Sequence, residues 1–265
     1  MKTANLPQEL IDRIQKEAVE NDIIYGTRSR ELLDLSKIHY GHREMLDWAL
    51  LQLPDKRGSR ILDIGVGDGY SSVLLATRGA QVTGIEVSIE ALKRAAALAE
   101  QHGLEIEFRQ MAGEQLDFGD STFDGILCMS AFHHMDLDRA SKEFARVLRP
   151  RGRLVLVEPL ASNPPAWIYR RIGGVFSREA TSKETPLRVQ DLNFLHRHFR
   201  KVEWRGMYML CLVPFGVDRM WNKSNPFVHR VTKRLFKWLS PIDSGLLRVP
   251  GLQRLAWKIA IVAER

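Results

Sequence analysis

The sequence predicts a doubly wound α/β fold, a largely parallel sheet with helices on both faces. Three observations predict it. Short apolar runs alternate with helical periodicities from residue 60 to residue 159, the pacing that builds βαβ units. The first run, Ile61-Leu-Asp-Ile64, leads straight into the glycine-rich turn Gly65-Val-Gly67-Asp-Gly69. The second run ends in an acid, Glu86, about twenty residues beyond the first glycine, where open α/β sheets place a ribose-binding carboxylate.

The elements follow in order. Leu10, Ile11, Ile14, Ala18 and Val19 recur at helical spacing and predict an amphipathic helix over 7–20. Tyr25 to Arg30 reads as a polar turn. Met45, Leu46, Trp48, Ala49 and Leu50 predict a helix over 41–53, stopped by Pro54. Strand one covers 60–64; a helix over 70–78 follows, closed by Gly79. Strand two is 81–86. Ser88 is placed to cap a helix over 91–100, which His102-Gly103 stops. Ile106 and Phe108 mark a third strand and 123–129 a fourth. A helix over 136–148 leads to a fifth strand, 154–157, ending in Glu158-Pro159. Beyond Pro159 the pattern loosens. Asn163-Pro-Pro165 opens a helix with Trp167, Ile168 and Tyr169, and 189–198 reads as another. Residues 201–211 alternate weakly and run into the apolar stretch 207–213, a strand candidate. Residues 226–239 read as helix and 257–263 as a last strand. No repeat or linker interrupts the chain, which predicts one domain with an insertion near 214–252.

Composition narrows the function classes. The 265 residues suffice for one large domain with a full core. Two cysteines, Cys128 and Cys211, stand far apart with no CxxC, which argues against a disulfide scaffold or a thiolate zinc site and suits a reducing, cytoplasmic setting. Met1 to Leu10 holds no long apolar run, so no signal peptide is expected. The net charge of +7 hides an asymmetry: residues 1–138 hold 14 Lys/Arg against 23 Asp/Glu, and residues 139–265 hold 25 against 9. A field concentrated in the second half favours an anionic partner.

The glycine turn carries the first chemical signal. Glycines permit the tight turn and let a ligand lie against bare backbone. A dinucleotide site needs GxGxxG, and Tyr70 stands at the third position, so that pattern fails. A GxGxG turn preceded by Asp63 suits a cofactor with no pyrophosphate. A carboxylate there can accept from an ammonium, and Glu86 can accept from ribose hydroxyls.

The motifs in order resemble those of the class I S-adenosylmethionine-dependent methyltransferases, in the broad group that includes quinone-biosynthesis, small-molecule and lipid methyltransferases. Ile61–Tyr70 resembles the family's first motif and Gly84-Ile-Glu-Val-Ser88 its second-strand motif. Glu114-Gln-Leu-Asp-Phe118 with Ser121-Thr-Phe-Asp124 resembles the segment that packs on adenine. Phe132-His-His-Met135 resembles the loop after strand four, and Arg146 to Pro159 the turn into strand five. The resemblance implies a Rossmann-like seven-stranded sheet, parallel but for a C-terminal antiparallel strand, with 201–211 and 256–264 as a closing hairpin. It implies S-adenosylmethionine as cofactor, bound by Asp63, Gly65, Gly67, Gly69, Glu86, Val87, Gly113, Glu114, Gln115, Met129 and Ser130. It implies a helical lid over 1–53, a cofactor half over 54–160 and an acceptor half over 161–265. Tyr25, His39, Tyr40 and His42 become lid contacts. At one place the chain departs: relatives often carry an acid two residues before Glu114, where this chain has Ala112.

Methyl transfer from a sulfonium asks the protein mainly to align the acceptor and exclude water. A base is needed only where the acceptor must lose a proton. His133 and His134, just past strand four, are the candidates, against the alternative that they pack on the cofactor and cap the next helix. No residues have metal-ligand spacing, so no metal is expected. In 226–239, Phe227, Val228, Val231, Leu235 and Trp238 gather near one face and His229, Arg230, Lys233, Arg234 and Lys237 on the other. Two readings fit: a lid helix with a core-facing stripe, or a helix lying in a membrane interface. Trp167, Tyr169, Phe176, Phe215 and Trp221 are candidates to line an apolar acceptor pocket. The expectation is methyl transfer to oxygen or carbon of a hydrophobic small molecule or lipid, with peripheral contact to an anionic membrane. An RNA methyltransferase, lacking any appended RNA-binding module, and a non-catalytic cofactor-binding subunit are the alternatives.

Overall fold

The computed structural model describes residues 6–28, 34–35, 38–54, 57–164, 185–221 and 225–265. Strands β1 (Arg60–Ile64), β2 (Gln81–Glu86), β3 (Glu107–Gln110), β4 (Phe123–Met129), β5 (Leu148–Pro159), β6 (Lys201–Met207) and β7 (Lys258–Glu264) form one sheet. Its order is β3-β2-β1-β4-β5-β7-β6. The pairs from β3 through β5 are parallel, and β7 runs antiparallel to both β5 and β6. The central strands are almost wholly apolar and buried, from Ile61, Leu62 and Ile64 to Leu154 through Val157. Strands covered on both faces read as continuous apolar runs. The faces still alternate: Leu62, Ile64 and Leu156 join one core cluster, while Ile61, Val155 and Val157 join the other.

Around the sheet stand α1 (Gln8–Gly26), α2 (Tyr40–Gln52), α3 (Tyr70–Thr77), α4 (Ile89–Gln101), α5 (Leu137–Val147), α6 (Leu192–His196), α7 (Leu212–Trp221) and α8 (Pro226–Leu246). The expected cap on α4 forms, Ser88 Oγ accepting from Ala91 N–H at 3.0 Å. Asp136 caps α5 in the same way. After β1 the chain builds outward through β2 and β3, then crosses to β4 on the other side. The crevice at the carboxyl ends of β1 and β4 is therefore the switch point at which such sheets bind ligands.

Several expectations need correction. Helix α1 runs on to Gly26, so Tyr25 is helical and no part of a turn. Residues 189–198 hold only a 3₁₀ turn and the five-residue α6. The strand expected to run through 207–213 stops at Met207. Tyr208 turns the chain at φ 62°, and the N–H groups of Met209, Leu210 and Cys211 all donate to the buried Asp243 carboxylate at 2.8–2.9 Å. A side chain takes the donors that a neighbouring strand would need. Helix α8 continues past Pro241 to Leu246. The helix expected from Asn163, with Trp167, Ile168, Tyr169 and Phe176, falls outside the described residues. Helices α7 and α8 occupy the span between β6 and β7.

Candidate active site

A cavity of about 480 Å³ opens at the carboxyl ends of β1, β2, β4 and β5, under α1 and α2. Its floor is the glycine turn. Gly65, Gly67 and Gly69 all have positive φ, at 72°, 53° and 84°, a region that side chains resist. Space closes the case at each position. A Cβ on Gly65 would stand 2.4 Å from the Ala131 Cβ, and one on Gly67 2.7 Å from the Tyr25 hydroxyl. Gly69 has a different job. It caps α3 and lies 2.7 Å, by the same measure, from Ala95 on α4, which keeps it behind the cavity wall.

Glu86 ends β2 with its carboxylate on the cavity. Its Oε1 accepts from Val87 N–H at 2.8 Å and Ser88 N–H at 3.3 Å, and Oε2 from Gly67 N–H at 3.2 Å. Burial raises its proton affinity against those three bonds. A carboxylate has about four acceptor positions, so Oε2 keeps room for a donor from the cavity. Asp63, in contrast, is buried at 1% exposure and outside the cavity lining. Its Oδ2 accepts from Ser71 and Ser72 hydroxyls at 2.7 and 2.6 Å, and burial pushes its carboxyl up to about 6. It holds Ser71, itself a wall residue, in place.

Helix α1 is the roof. Arg13 donates to Glu114 and to the His134 carbonyl, tying the helix to the loops after β3 and β4. Asp22 accepts from Ser88 Oγ at 2.6 Å and Glu90 N–H at 3.0 Å, tying it to α4. Leu10 and Ile14 pack on Ala112, beside Val87. The small residue at 112 is what lets α1 sit this low. The same helix brings Glu17 and Asn21 into the wall. Burial, then the nearby Glu114 carboxylate, pushes the Glu17 carboxyl up to about 7. At the glycine turn, Arg28 stacks on the Tyr25 ring at 4.3 Å and reaches Asp68 at 2.5 Å.

The two histidines after β4 have different surroundings. The His133 ring is buried, with Nδ1 2.6 Å from Glu158 Oε2. Glu158, at the end of β5, also accepts from the N–H groups of Ala131 and Phe132 at 3.1 and 2.9 Å. His133 therefore fixes the loop from behind. His134 stacks on it, ring centres 4.0 Å apart, and faces the cavity. Burial, then the neighbouring His133, pushes His134 down to about 4. Beside them Ser130 lines the wall at φ 57° and accepts from the Lys258 ammonium at 2.8 Å.

The far end of the cavity is closed by α2. His39 and His42 line it with Met45, Met129 and Val157. The Phe215 ring of α7 packs on both histidines, at 4.4 and 5.2 Å. His39 Nε2 lies 2.9 Å from the buried Asp218 of α7, which also meets His229 and Thr232 of α8. Tyr40 turns away from the cavity, donating to the Pro214 carbonyl at 3.2 Å.

Residues 62–156, which carry this turn, Asp63 and Glu86 but not Glu158, match the family described as a methyltransferase domain. Over this stretch the chain is similar to the class I S-adenosylmethionine-dependent methyltransferases. It is 33% identical over 155 residues to a ubiquinone biosynthesis O-methyltransferase of Aeromonas salmonicida, covering 57% of this chain and 64% of the relative. It is 44% identical over 108 residues to a phosphatidylethanolamine N-methyltransferase of Cereibacter sphaeroides, covering 40% and 53%. The chain thus spans less than two thirds of the length of these curated relatives. A crystal structure of geranyl diphosphate C-methyltransferase from Streptomyces coelicolor superposes with a TM-score of 0.63 at 14% identity, over 96% of this chain and 98% of that one, a likeness of fold.

Twelve of the residues singled out in the sequence line this one cavity: Tyr25, His39, His42, Gly65, Gly67, Glu86, Val87, Gly113, Glu114, Met129, Ser130 and His134. Asp63, Gly69, Gln115, Tyr40 and His133 stand behind its wall. Sequence reasoning missed Glu17, Asn21, Arg13, Glu158 and Lys258. Glu158 carried a usable signal, an acid at a strand end as at Glu86. The side chains of α1 carried none, because their exposure to the cavity depends on how the helix crosses the sheet.

Proposed function

We propose that this chain is an enzyme that moves a methyl group from S-adenosylmethionine to oxygen or carbon of a hydrophobic small-molecule or lipid-type acceptor. The observation that carries the reading is the convergence of the glycine turn, the Glu86 carboxylate and the roof helix on one cavity at the switch point of the sheet. The donor set fits the cofactor: bare backbone at Gly65 and Gly67, a strand-end acid for hydroxyls, and apolar Val87 and Met111 for a flat base. Bound there, the cofactor supplies a sulfonium-activated methyl.

Each residue then has a task. Glu86 accepts from the ribose. Tyr25 and Arg28 receive the amino-acid end above the glycine turn. Glu17, reaching in from α1, provides the acid that Ala112 lacks. Asp63 orients Ser71, and the pair Glu158–His133 holds the loop that presents Ser130 and His134. His134 stays neutral near pH 7, so it aligns an acceptor hydroxyl by hydrogen bonding and is a weak base. Met45, Met129 and Val157 shape an apolar berth for the acceptor and keep water from the transfer. In this reading α1 and α2 act as the lid, and the chain beyond residue 160 forms the acceptor half. A lipid-type acceptor goes with contact to the cytoplasmic face of an anionic membrane.

Titration calorimetry with S-adenosylmethionine and S-adenosylhomocysteine tests the core of the proposal. The unmodified chain binds both. Gly67→Arg, forced to φ 53° against Tyr25, binds neither while still melting cooperatively. A parent protein that gives no heat with either compound rules the proposal out. Turnover by the purified chain alone separates an enzyme from a non-catalytic subunit.

A further inference from the structure

Helix α8 carries two apolar stripes where the sequence suggested one. The inner stripe includes the buried Thr232 and Phe236. Phe236 packs on Tyr40 and Tyr208 at 4.7 and 5.1 Å, and Ser240 Oγ donates to Glu44 at 2.7 Å, so this side is already satisfied. The outer stripe is Phe227, Val231, Leu235, Trp238 and Ile242, spaced by three or four residues and so stacked on one face. All five are exposed, Phe227 by 68% and Trp238 by 77%. These are the residues that a core-facing lid would have buried. A contiguous row of large apolar side chains in water marks an interaction surface.

The charges alongside select the partner. Arg230, Lys233, Arg234 and Lys237 flank the outer stripe and are all exposed. From Pro226 to Ile242 there is no Asp or Glu. Among the described residues no helix is long and apolar enough to cross a membrane. An apolar stripe bordered by cations on a helix that cannot span is the make-up of an interfacial helix.

We infer that the outer face of α8 docks on an anionic lipid bilayer, with Phe227, Leu235 and Trp238 entering the headgroup boundary and the four cations meeting lipid phosphates. The placement has a further meaning, which rests on the proposed function. Helix α8 leans on α2 and α7, and His39 at the cap of α2, His42 within it and Phe215 of α7 close the far end of the cavity. Docking through α8 holds the acceptor end of the cavity next to the membrane, the source of an apolar acceptor.

Co-sedimentation with vesicles tests the inference. The parent chain pellets with vesicles of phosphatidylcholine and phosphatidylglycerol, less with phosphatidylcholine alone, and salt weakens the binding. Phe227→Ser/Trp238→Ser, which alters exposed side chains and leaves the melting curve unchanged, loses at least tenfold in vesicle affinity. Lys233→Glu/Lys237→Glu loses about thirtyfold or more. A parent that stays in the supernatant, or variants that bind as well as it does, overturns the inference. So does concentration-dependent self-association that Phe227→Ser/Trp238→Ser abolishes, or salt-sensitive RNA binding without vesicle binding. Calorimetry with S-adenosylhomocysteine on the same proteins keeps the two proposals apart. Vesicle binding without cofactor binding sinks the enzyme reading alone, and the reverse sinks the membrane face alone.

Discussion

Glu17 is a carboxylate drawn into a wall that already holds Glu86 and Glu114, and its proton affinity responds. With the folded-state value raised to about 7 from the ordinary 4.5, the folded chain binds a proton more tightly than the unfolded one between those limits. Stability contributed by this group is therefore greatest at low pH and falls as pH rises through the window from about 4.5 to 7, then levels off. Replacing Glu17 by Gln removes that fall. The difference in urea midpoint between parent and Glu17→Gln, followed against pH, should widen in favour of the variant across the window. A difference that stays constant with pH contradicts the assignment. Residues of this kind divide cleanly by legibility. Glu86 could be read from the sequence because its place at a strand end, set against the glycine turn, leaves few roles open. Asp63 could be read as important but not for the right contact. Whether a strand-end acid faces a cavity or the hydroxyls of the next helix depends on its side of the pleat, and Ser71 and Ser72 stand eight and nine residues away.

At the level of elements, periodicity found the helices and strands of the first 160 residues and weakened beyond them. The reason is visible at Asp243. One buried carboxylate, at 1% exposure, accepts from three successive backbone N–H groups over thirty residues distant in sequence. It converts an apolar run with strand character into a turn that starts α7. No local pattern announces a partner so far along the chain. The same contact makes Asp243→Ala costly. It leaves three donors without their acceptor, the buried Cys211 N–H among them, and a loss of about 2 kcal/mol is expected on the scale of about one per buried unpaired group. Chemical denaturation should show that loss, with the midpoint shifted and the slope kept. An unchanged midpoint would mean that water replaces the carboxylate at no cost. The outer stripe of α8 teaches a related lesson. Its residues were legible as a face, but which of two faces looks inward is decided by Tyr40, Tyr208 and Glu44 on other elements.

The whole molecule gathers its cavity from both sides of the glycine turn. Roof residues come from α1 and α2, the floor from β1, β2 and β4, and Phe215 backs the far wall from α7. A ligand in such a place adds its own contacts between segments already joined by packing and by the hydrogen bonds of Arg13 and Asp22. S-adenosylhomocysteine at about a hundred times its dissociation constant should add roughly 2.7 kcal/mol. For a chain of this size that corresponds to a rise in Tm of about 5–10 °C, read by thermal denaturation with and without the compound. No rise at saturating compound would show that the cavity is not its site. The charge asymmetry was also plain at this scale: the acidic first half builds nearly all of the cavity, and the excess of cations falls in the half that holds α8.

The sheet order sets a timetable for folding. Strand β6 has one neighbour, β7, and β5 meets β6 only through β7. More than fifty residues separate the start of β6 from the start of β7. Until that late strand arrives, β6 has no sheet to join and the apolar edge of β5, Leu154 to Val157, lies open to any passing strand. The closing step is a long-range one, of the class that slows folding most. A chain shortened by its final seven or eight residues would lose two strands, not one.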